Sequence, residues 1–207
     1  MSGPFEAALE EACRGLAGRD EAIARAYREI GRPDWREADC TYATLARMIA
    51  FQQISVKAGA AIWDRLEARL GSVTADALLD LEDDEIRACG FSRPKAGHLR
   101  AIAQAVQSGA LDLHCPHKLP ADAAREHLTT IRGIGPWTAE LYLLYAGRQF
   151  DAFPTADLGL MESYRRLSGW NARPDKREFA QIAEGWRPWR GVAAHLLWGW
   201  INAERAK

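Results

Sequence analysis

The segment 128–141 combines two glycines and a proline in a pattern that could bind an anion. It reads Leu-Thr-Thr-Ile-Arg-Gly-Ile-Gly-Pro-Trp-Thr-Ala-Glu-Leu, with helix-forming sequence on either side. Glycine can take a positive φ and leaves the neighbouring backbone accessible, so the turn amides and the next helix N-terminus could face one ligand. The amides predicted to bind are those of Gly133, Ile134, Gly135 and Thr138. An ordinary corner between two helices would explain the same glycines without any ligand.

A carboxylate follows this turn at a fixed distance. Asp157 lies twenty residues after Trp137, in the segment Phe-Pro-Thr-Ala-Asp-Leu-Gly-Leu, where a helix is predicted to begin. An aspartate there is typical of an N-cap, which accepts hydrogen bonds from the first helical amides. A carboxylate can also stabilise a developing positive charge or activate a water molecule. On local sequence alone, the two interpretations carry equal weight.

Helical periodicity runs through almost the whole chain and must supply the scaffold for these residues. Apolar side chains recur at helical spacing, for example at Leu99, Ile102 and Val106, whereas alternating strand-like runs are nearly absent. Ala, Leu, Arg and Glu are abundant, and all four favour helix. Glycine and proline breaks, such as those at 31–33 and 90–94, mark helix ends. We therefore predict an all-α protein of about ten or eleven short helices.

Charge and cysteine content narrow the functional class. The 207 residues carry 27 basic and 28 acidic side chains, a formal net charge of −1, which by itself argues against nucleic-acid binding. The balance is uneven, since residues 1–85 sum to −7 and residues 86–207 to +6. No apolar run reaches the roughly 18 residues of a membrane span, and the first residues do not resemble a signal peptide. The four cysteines lack C-x-x-C spacing, so we expect reduced thiols and no zinc site.

Three further segments, together with the turn and Asp157, resemble the helix-hairpin-helix DNA glycosylase superfamily. The nearest branch is 3-methyladenine DNA glycosylase II, the enzymes that excise alkylated bases. The segments are Gln-Gln-Ile-Ser within 49–56, Gly-Phe-Ser-Arg-Pro-Lys-Ala at 90–96, and Trp-Arg-Pro-Trp-Arg-Gly-Val-Ala-Ala at 186–194. All five motifs occur in the family's order, so the resemblance covers about residues 40–200.

The resemblance implies a single DNA glycosylase domain, 1–207, with two α-helical lobes and a DNA-binding cleft. One lobe would span 40–148 and contain the hairpin, and the other would combine 1–39 with 149–207. Some family members carry an additional N-terminal β-rich domain. Too few residues precede position 40 to form one here, so we expect the compact form.

The resemblance also implies the chemistry. Asp157 occupies the position of the family's catalytic aspartate, which stabilises an oxocarbenium-like sugar as the N-glycosidic bond breaks. Bifunctional members carry a lysine nucleophile at the hairpin position that is Trp137 here, so we expect a monofunctional hydrolase without AP-lyase activity. The chain has no cysteine cluster near its C-terminus, so we expect no iron–sulfur cluster and no cofactor for the chemistry.

Tryptophans are the candidates for the base pocket. The target base must be flipped out of the duplex, and alkylated purines carry a positive charge that an indole face attracts. Trp137 is the first candidate and Trp198 the second. The segment 192–201 is apolar nearly all round, so its tryptophans could equally belong to the core. Weaker candidates are Trp189, Trp200, Tyr42 and Phe51.

Three further roles follow from the resemblance. Gln53 matches the wedge that fills the gap left by the flipped base, although an amide hydrogen-bonded at the helix junction is an equal alternative. The family hairpin holds a monovalent cation, Na+ or K+, by main-chain carbonyls that correspond to Thr129, Ile131 and Ile134. Basic side chains that could lie near phosphate are Arg93, Lys95, Arg132 and Arg190.

We therefore expect a cytoplasmic monomer, nucleoid-associated in a bacterium, that binds double-stranded DNA with damaged bases and does not bind membranes. Base flipping with hydrolysis of 3-methyladenine-type or 7-methylguanine-type lesions, in base excision repair, is the leading hypothesis. The alternatives are a glycosylase for oxidised bases, uracil or mismatches, a non-catalytic helix-hairpin-helix DNA-binding protein, and an unrelated helical protein. Asp157 discriminates catalysis from binding, since a binding protein needs no carboxylate facing DNA.

Overall fold

The computed structural model describes residues 3–206, and the regular structure in that part of the chain is helical, without a strand. The all-α prediction is confirmed, with twelve α-helices and one short 3-10 turn at Cys115–His117. The helices are α1 (Pro4–Ala17), α2 (Glu21–Ile30), α3 (Tyr42–Phe51), α4 (Val56–Leu70), α5 (Ala75–Leu79), α6 (Asp83–Ala88), α7 (Arg93–Gln107), α8 (Ala121–Thr129), α9 (Pro136–Tyr145), α10 (Leu158–Leu167), α11 (Lys176–Glu184) and α12 (Arg190–Arg205). Among residues 3–206, none of these helices is both long and apolar enough to span a bilayer.

The described chain forms two compact units. One contains residues 3–36 and 149–206, and the other contains Glu37–Arg148. Several helices in both units begin at a side chain that caps them. Ser92 accepts a hydrogen bond from the Lys95 amide at the start of α7, and Asp20 accepts two amide hydrogen bonds at the start of α2.

The first unit is built around α12, which packs against α1, α2 and α10. Residues Arg190 to Trp198 of α12 are all buried, so this helix has almost no solvent face. Trp200 is buried and donates its indole N–H to Glu29 at 2.6 Å. Trp189 packs on Gly15, where a Cβ would lie 2.2 Å from the indole ring. These contacts assign Trp189 and Trp200 to the packing of the unit.

The second unit is centred on α3, which contacts α4, α7 and α9. Its core includes Tyr42, which is 4% exposed and donates its hydroxyl hydrogen to the Leu99 carbonyl at 3.1 Å. Tyr42 is therefore a core residue, and the prediction that it could line a base pocket is wrong. Helices α8 and α3 both pack on α9, so the segment 128–141 is supported by neighbouring helices of the same unit.

Buried His195 links α12 to the segment that follows α2. Its Nδ1–H donates to the Gly191 carbonyl at 2.9 Å, and its Nε2 accepts the Arg36 amide at 3.4 Å. The ring stacks on Trp35 with centroids 3.9 Å apart. Burial lowers the pKa of His195 to about 4, so the folded protein keeps this imidazole neutral.

We predict that His195 weakens the protein in mild acid. The unfolded chain protonates this histidine near pH 6.5, whereas the folded chain does so only near pH 4, so stability falls as pH decreases through that window. In His195→Gln, the loss of unfolding free energy between pH 7 and pH 4 should be smaller by roughly 2–3 kcal/mol. Urea denaturation of both proteins at the two pH values measures this difference. Parallel losses in the two proteins would contradict the assignment.

Candidate active site

The turn between α8 and α9 contains two glycines that differ in backbone conformation and in the space around them. Gly133 has φ +100°, and a Cβ there would lie 2.6 Å from the Cβ of His98. Gly135 has φ −80° and ψ 169°, an extended conformation, and a Cβ added there would meet nothing within 4 Å. Only Gly133 therefore uses the positive φ that glycine allows. Folding requires glycine at Gly133, whereas Gly135 only keeps the backbone open to approach.

The amides at this turn differ in what they can offer a ligand. Ile134 is buried, and its N–H donates to the Ile131 carbonyl at 3.0 Å. Gly135 caps α9 without a side chain, and proline follows at the first helical position. The next two amides, of Trp137 and Thr138, precede the first intrahelical bond, which runs from Ala139 to the Gly135 carbonyl at 3.0 Å. These first-turn amides are the groups that an anion could bind.

The side chain of Thr138 is engaged in a hydrogen bond within the protein. It is 2% exposed, and its Oγ1 accepts a hydrogen bond from the Gln52 side-chain amide at 2.8 Å. Any contact of Thr138 with phosphate would therefore use its backbone N–H. Gln52 also ends α3, so this hydrogen bond joins the α3–α4 junction to the first turn of α9.

The carbonyls expected to hold a monovalent cation belong to Thr129, the last residue of α8, and to Ile131 and Ile134 in the turn that follows it. The Ile131 carbonyl accepts one hydrogen bond, from Ile134, and a carbonyl oxygen has a second lone pair. The carbonyls of Thr129, Ile131 and Ile134 would hold such an ion without any charged ligand. Carbonyl oxygens are hard ligands, which suit a hard cation such as Na+ or K+ and not a soft metal. In residues 3–206, no group of three or more His, Cys, Asp or Glu side chains is arranged to hold a metal ion.

Asp157 is half-buried and begins α10 as its N-cap. Its Oδ1 accepts the Leu160 amide at 3.0 Å and the Trp198 indole N–H at 3.3 Å. Its Oδ2 has no hydrogen-bond partner within the described residues. Both interpretations of this aspartate are therefore compatible, because one oxygen caps the helix and the other remains available for chemistry.

Trp198 is held from several sides within the first unit. It is 8% exposed, the His195 ring meets it edge-on at 5.7 Å, and the Arg36 guanidinium lies 5.5 Å from its ring centroid. It also lines a cavity of about 420 Å³, so part of the residue borders open space. A Cβ at Gly159 would lie 3.0 Å from Asp157 Oδ1 and 3.9 Å from Trp198 Nε1. Glycine at this position therefore leaves room for the hydrogen bond between them.

The remaining predicted aromatic residues lie in the second unit. Trp137 is half-buried at the second position of α9, so part of its indole is accessible. Phe51 packs on Gly59, where a Cβ would lie 2.7 Å from the phenyl ring. The Arg47 guanidinium lies 5.4 Å from the Phe51 ring centroid. Phe51 is therefore engaged in the packing of α3 on α4, and Trp137 is the accessible indole of this unit.

Gln53 is exposed and has φ +56°, an unusual conformation for a residue other than glycine. Its side chain has no hydrogen bond within residues 3–206. The amide that is hydrogen-bonded at the helix junction belongs instead to Gln52. Gln53 is therefore exposed at the junction, and its role as a wedge stays a prediction.

Two of the basic side chains predicted near phosphate are engaged within the protein. Lys95 Nζ donates to the carbonyls of Ala50 and Gln52 at 2.8 and 2.7 Å, at the C-terminus of α3. Burial lowers the pKa of this amine. Arg190 is 8% exposed and forms ion pairs with Asp151 and Glu184. The predictions for Lys95 and Arg190 are therefore wrong, whereas Arg93 and Arg132 are exposed.

Sequence reasoning missed Gly159 and Gln52. A glycine inside the first turn of a helix lowers the stability of that helix. The glycine at position 159 was therefore a sequence signal that a close contact requires the missing side chain. Gln52 gave no such signal, because the sequence offers two adjacent glutamines and only the backbone geometry decides which one points inward.

Comparison with known proteins identifies the family. Residues 46–188 match the model of the HhH-GPD superfamily base excision DNA repair proteins. The chain therefore belongs to the HhH-GPD superfamily of base excision DNA repair proteins.

Individual relatives agree with this membership. The chain is 33% identical over 190 residues to DNA-3-methyladenine glycosylase 1 of Schizosaccharomyces pombe, covering 88% of this chain and 83% of that protein. The solved S. pombe 3-methyladenine DNA glycosylase in complex with abasic DNA aligns with a TM-score of 0.79 at 32% identity, over 91% of this chain and 95% of that one. A DNA-3-methyladenine glycosidase of Bacillus halodurans aligns with a TM-score of 0.84 at 26% identity, over 95% and 91% of the two chains.

The two hairpin glycines give a matched test of this geometry. Gly133→Ala should destabilise the protein by about 2 kcal/mol or more, because alanine disfavours φ +100° and its Cβ would clash with His98. Gly135→Ala should change stability by at most about 0.5 kcal/mol, because its conformation is ordinary and the space is open. Chemical denaturation of the two variants measures both values, and equal losses would contradict the assigned conformations.

Proposed function

We propose that this chain is a DNA glycosylase that hydrolyses the N-glycosidic bond of alkylated purines in base excision repair. The observation that carries the proposal is Asp157, whose Oδ1 is fixed by two hydrogen bonds while Oδ2 has none within the described residues. It occurs in a chain that is 33% identical to a 3-methyladenine DNA glycosylase over most of its length. Asp20 also caps a helix and accepts an indole N–H, but both of its carboxylate oxygens are engaged, whereas Oδ2 of Asp157 has no partner within the described residues.

The carboxylate would act on the sugar. As the bond to the base breaks, positive charge develops on the deoxyribose, and a fixed negative charge beside it lowers the barrier without reorganisation. The hydrogen bonds from Leu160 and Trp198 hold Oδ1, so Oδ2 is the oxygen that would face the sugar or orient the attacking water. Gly159 contributes by leaving the space that this arrangement occupies.

Indole faces would supply the affinity for the base. Trp137 is half-buried, and Trp198, although only 8% exposed, lines a cavity of about 420 Å³. These two indoles would stack on a base that has left the helix. Purines such as 3-methyladenine and 7-methylguanine are cationic, so an indole face attracts them by about 0.5–2 kcal/mol more than stacking alone. This charge selectivity favours alkylated purines over neutral lesions such as oxidised bases and uracil.

The hairpin would bind the DNA backbone without base readout. The Gly135, Trp137 and Thr138 amides and the α9 dipole provide donors for a phosphate oxygen. A monovalent cation on the carbonyls of Thr129, Ile131 and Ile134 would add positive charge at the same turn. Exposed Arg132 lies within this turn and would contribute a side-chain charge. We further propose that the protein acts as a cytoplasmic monomer and needs no iron–sulfur cluster or other cofactor for the reaction.

Removing the charge of Asp157 tests the catalytic role. Asp157→Asn keeps an oxygen that can accept both hydrogen bonds, so the fold should persist, while release of 3-methyladenine and 7-methylguanine from methylated duplex DNA should slow by about 100-fold or more. Single-turnover base release at saturating enzyme measures the effect.

Asp175→Asn is the matched control, because Asp175 caps α11 in the same way without an indole partner. It should release bases at the wild-type rate. An Asp157→Asn protein as fast as the wild type would refute the catalytic assignment. A wild-type protein that releases neither base would refute the lesion class.

The product should be an intact abasic strand. A hydrolytic enzyme uses water and forms no Schiff base, so borohydride should trap no protein–DNA adduct, and the strand should break only after alkali treatment. A trapped adduct at any amine would overturn the monofunctional assignment.

A further inference from the structure

A cavity of about 530 Å³ lies beside α10, within the first unit. Ala156 and Leu158, the residues on either side of Asp157, both line it. Its other walls include buried Met161 of α10 and buried Pro174 in the segment before α11. The proposed catalytic carboxylate is therefore adjacent in sequence to the wall of a cavity that has no part in the proposed reaction.

One wall of this cavity is apolar and exposed. Leu158, the first residue of α10, is 62% exposed, more than any other large hydrophobic residue of the described chain except Val56. A single exposed leucine is common on protein surfaces. Leu158, however, forms one apolar lining with Ala156, Met161 and Pro174. Such a lining suits a partner that has apolar parts of its own.

The rim of the cavity carries positive charge that the protein does not neutralise. Arg173 and Lys176 line the cavity, and both are exposed. Neither side chain forms a hydrogen bond or an ion pair within residues 3–206. Nearby in sequence, Arg165 and Arg166 both pair with Glu162. Arg173 and Lys176 are therefore available to an external anion.

The carboxylate on the same rim is engaged by the protein. Asp175 borders the cavity as well, but its Oδ1 accepts the Glu178 amide at 2.8 Å, as the N-cap of α11. Its role is thus to begin that helix. Two cations and one carboxylate leave the rim with a net positive charge.

A DNA strand has the same alternation of apolar and charged groups as this cavity. Along each strand, deoxyribose rings present C–H groups, and the phosphates carry one negative charge per ~3.4 Å of helix axis. A strand whose deoxyribose lies at Asp157 must carry its neighbouring phosphates past the residues beside it, and the Cα of Leu158 is only about 3.8 Å from that of Asp157. Cations at this place also offset the repulsion between the Asp157 carboxylate and the strand. An acidic protein would match the charge but has no reason to lie beside a carboxylate that acts on a sugar.

We infer that this cavity receives the backbone of the damaged strand next to the nucleotide on which Asp157 acts. Leu158 packs on a deoxyribose of that strand, and Arg173 and Lys176 bind its phosphates. The inference rests on the proposed function, because it places the damaged sugar at Asp157. The contact is separate from the hairpin, whose main-chain amides belong to the second unit.

The salt dependence of binding tests the two cations. Arg173→Gln and Lys176→Gln are compared with the wild type on a duplex containing a tetrahydrofuran abasic-site analogue, over a series of potassium chloride concentrations. Both side chains are exposed and unpaired within the described residues, so the fold should persist. Each variant should weaken binding by about 3- to 10-fold at low salt. Each should also lower the salt slope, the dependence of the log association constant on log salt concentration, by about 0.9, the value for one lost phosphate contact.

Two further variants separate apolar contact from charge. Leu158→Ala should weaken binding by about 3- to 10-fold through the lost apolar contact and should leave the salt slope unchanged. Arg177→Gln is the matched control, because Arg177 is exposed and unpaired in the same segment but does not line the cavity. Its affinity should stay within about 2-fold of the wild type, because solvent and salt screen a charge that makes no contact. If Arg177→Gln loses as much affinity as Arg173→Gln, or if neither loses any, the inference is wrong.

Neutral linkages identify the phosphates that are bound. In the strand that carries the analogue, a methylphosphonate replaces, one at a time, each of the three phosphates on either side. At one or two adjacent positions it should weaken binding of the wild type by about 3- to 10-fold, and binding of the Arg173→Gln/Lys176→Gln double variant by less than about 2-fold. Linkages at phosphates that the hairpin binds should weaken both proteins equally. Equal losses in the two proteins at every position would overturn the inference.

Binding to the abasic-site duplex needs no chemistry, so the outcomes separate the two proposals. A wild-type protein that releases no alkylated base, but whose double variant no longer responds to the linkage, refutes the lesion class and supports the strand contact. An active protein whose variants bind and respond to every linkage like the wild type refutes the strand contact alone, and the cavity then fits an acidic protein partner.

Discussion

Every α-helix begins with amide groups that have no partner inside the helix, and this constraint determines where the chain can do chemistry. At α10 the partner is Asp157, which commits one oxygen to the helix and leaves the other unengaged within the described residues. At α9 the cap is Gly135, which provides no side chain, so the first-turn amides stay open to an external anion. The first amides of α10 are therefore partnered by a side chain of the protein, at the proposed catalytic residue. Those of α9 are left for a ligand, at the proposed phosphate site.

The burial of α12 provides the rigidity that a fixed carboxylate needs. A helix with almost no solvent face cannot shift without exposing apolar surface, so the indole that it presents is held in place. Trp198 then fixes the orientation of Asp157 through one hydrogen bond, and Gly159 makes that approach possible. A side chain from the core, and not one from a flexible loop, therefore orients the Asp157 carboxylate.

The sequence predicts those parts of the molecule that depend on local backbone preferences. Asp157 as the first residue of a helix, and the glycine–proline turn before α9, follow from capping and φ preferences alone. It could not predict contacts between residues distant in sequence. The choice between Gln52 and Gln53 depends on which amide meets Thr138, 86 residues away. Lys95 looks like a surface cation in sequence, yet it caps the end of α3 because two carbonyls there need a donor.

The net charge is also a poor predictor of nucleic-acid binding, because it does not depend on where the charges lie in the fold. A formal charge of −1 describes the whole surface, whereas binding depends on the charge beside the contact, and Coulomb interactions are largely screened beyond about 8–10 Å. Residues 127–139, around the turn before α9, contain no carboxylate, and neither do residues 40–63, around the α3–α4 junction. The acidic residues are concentrated elsewhere in sequence. Main-chain amides add donors that no count of Lys and Arg includes. A chain of this kind can therefore bind a polyanion through local geometry while keeping the near-neutral charge of an ordinary enzyme.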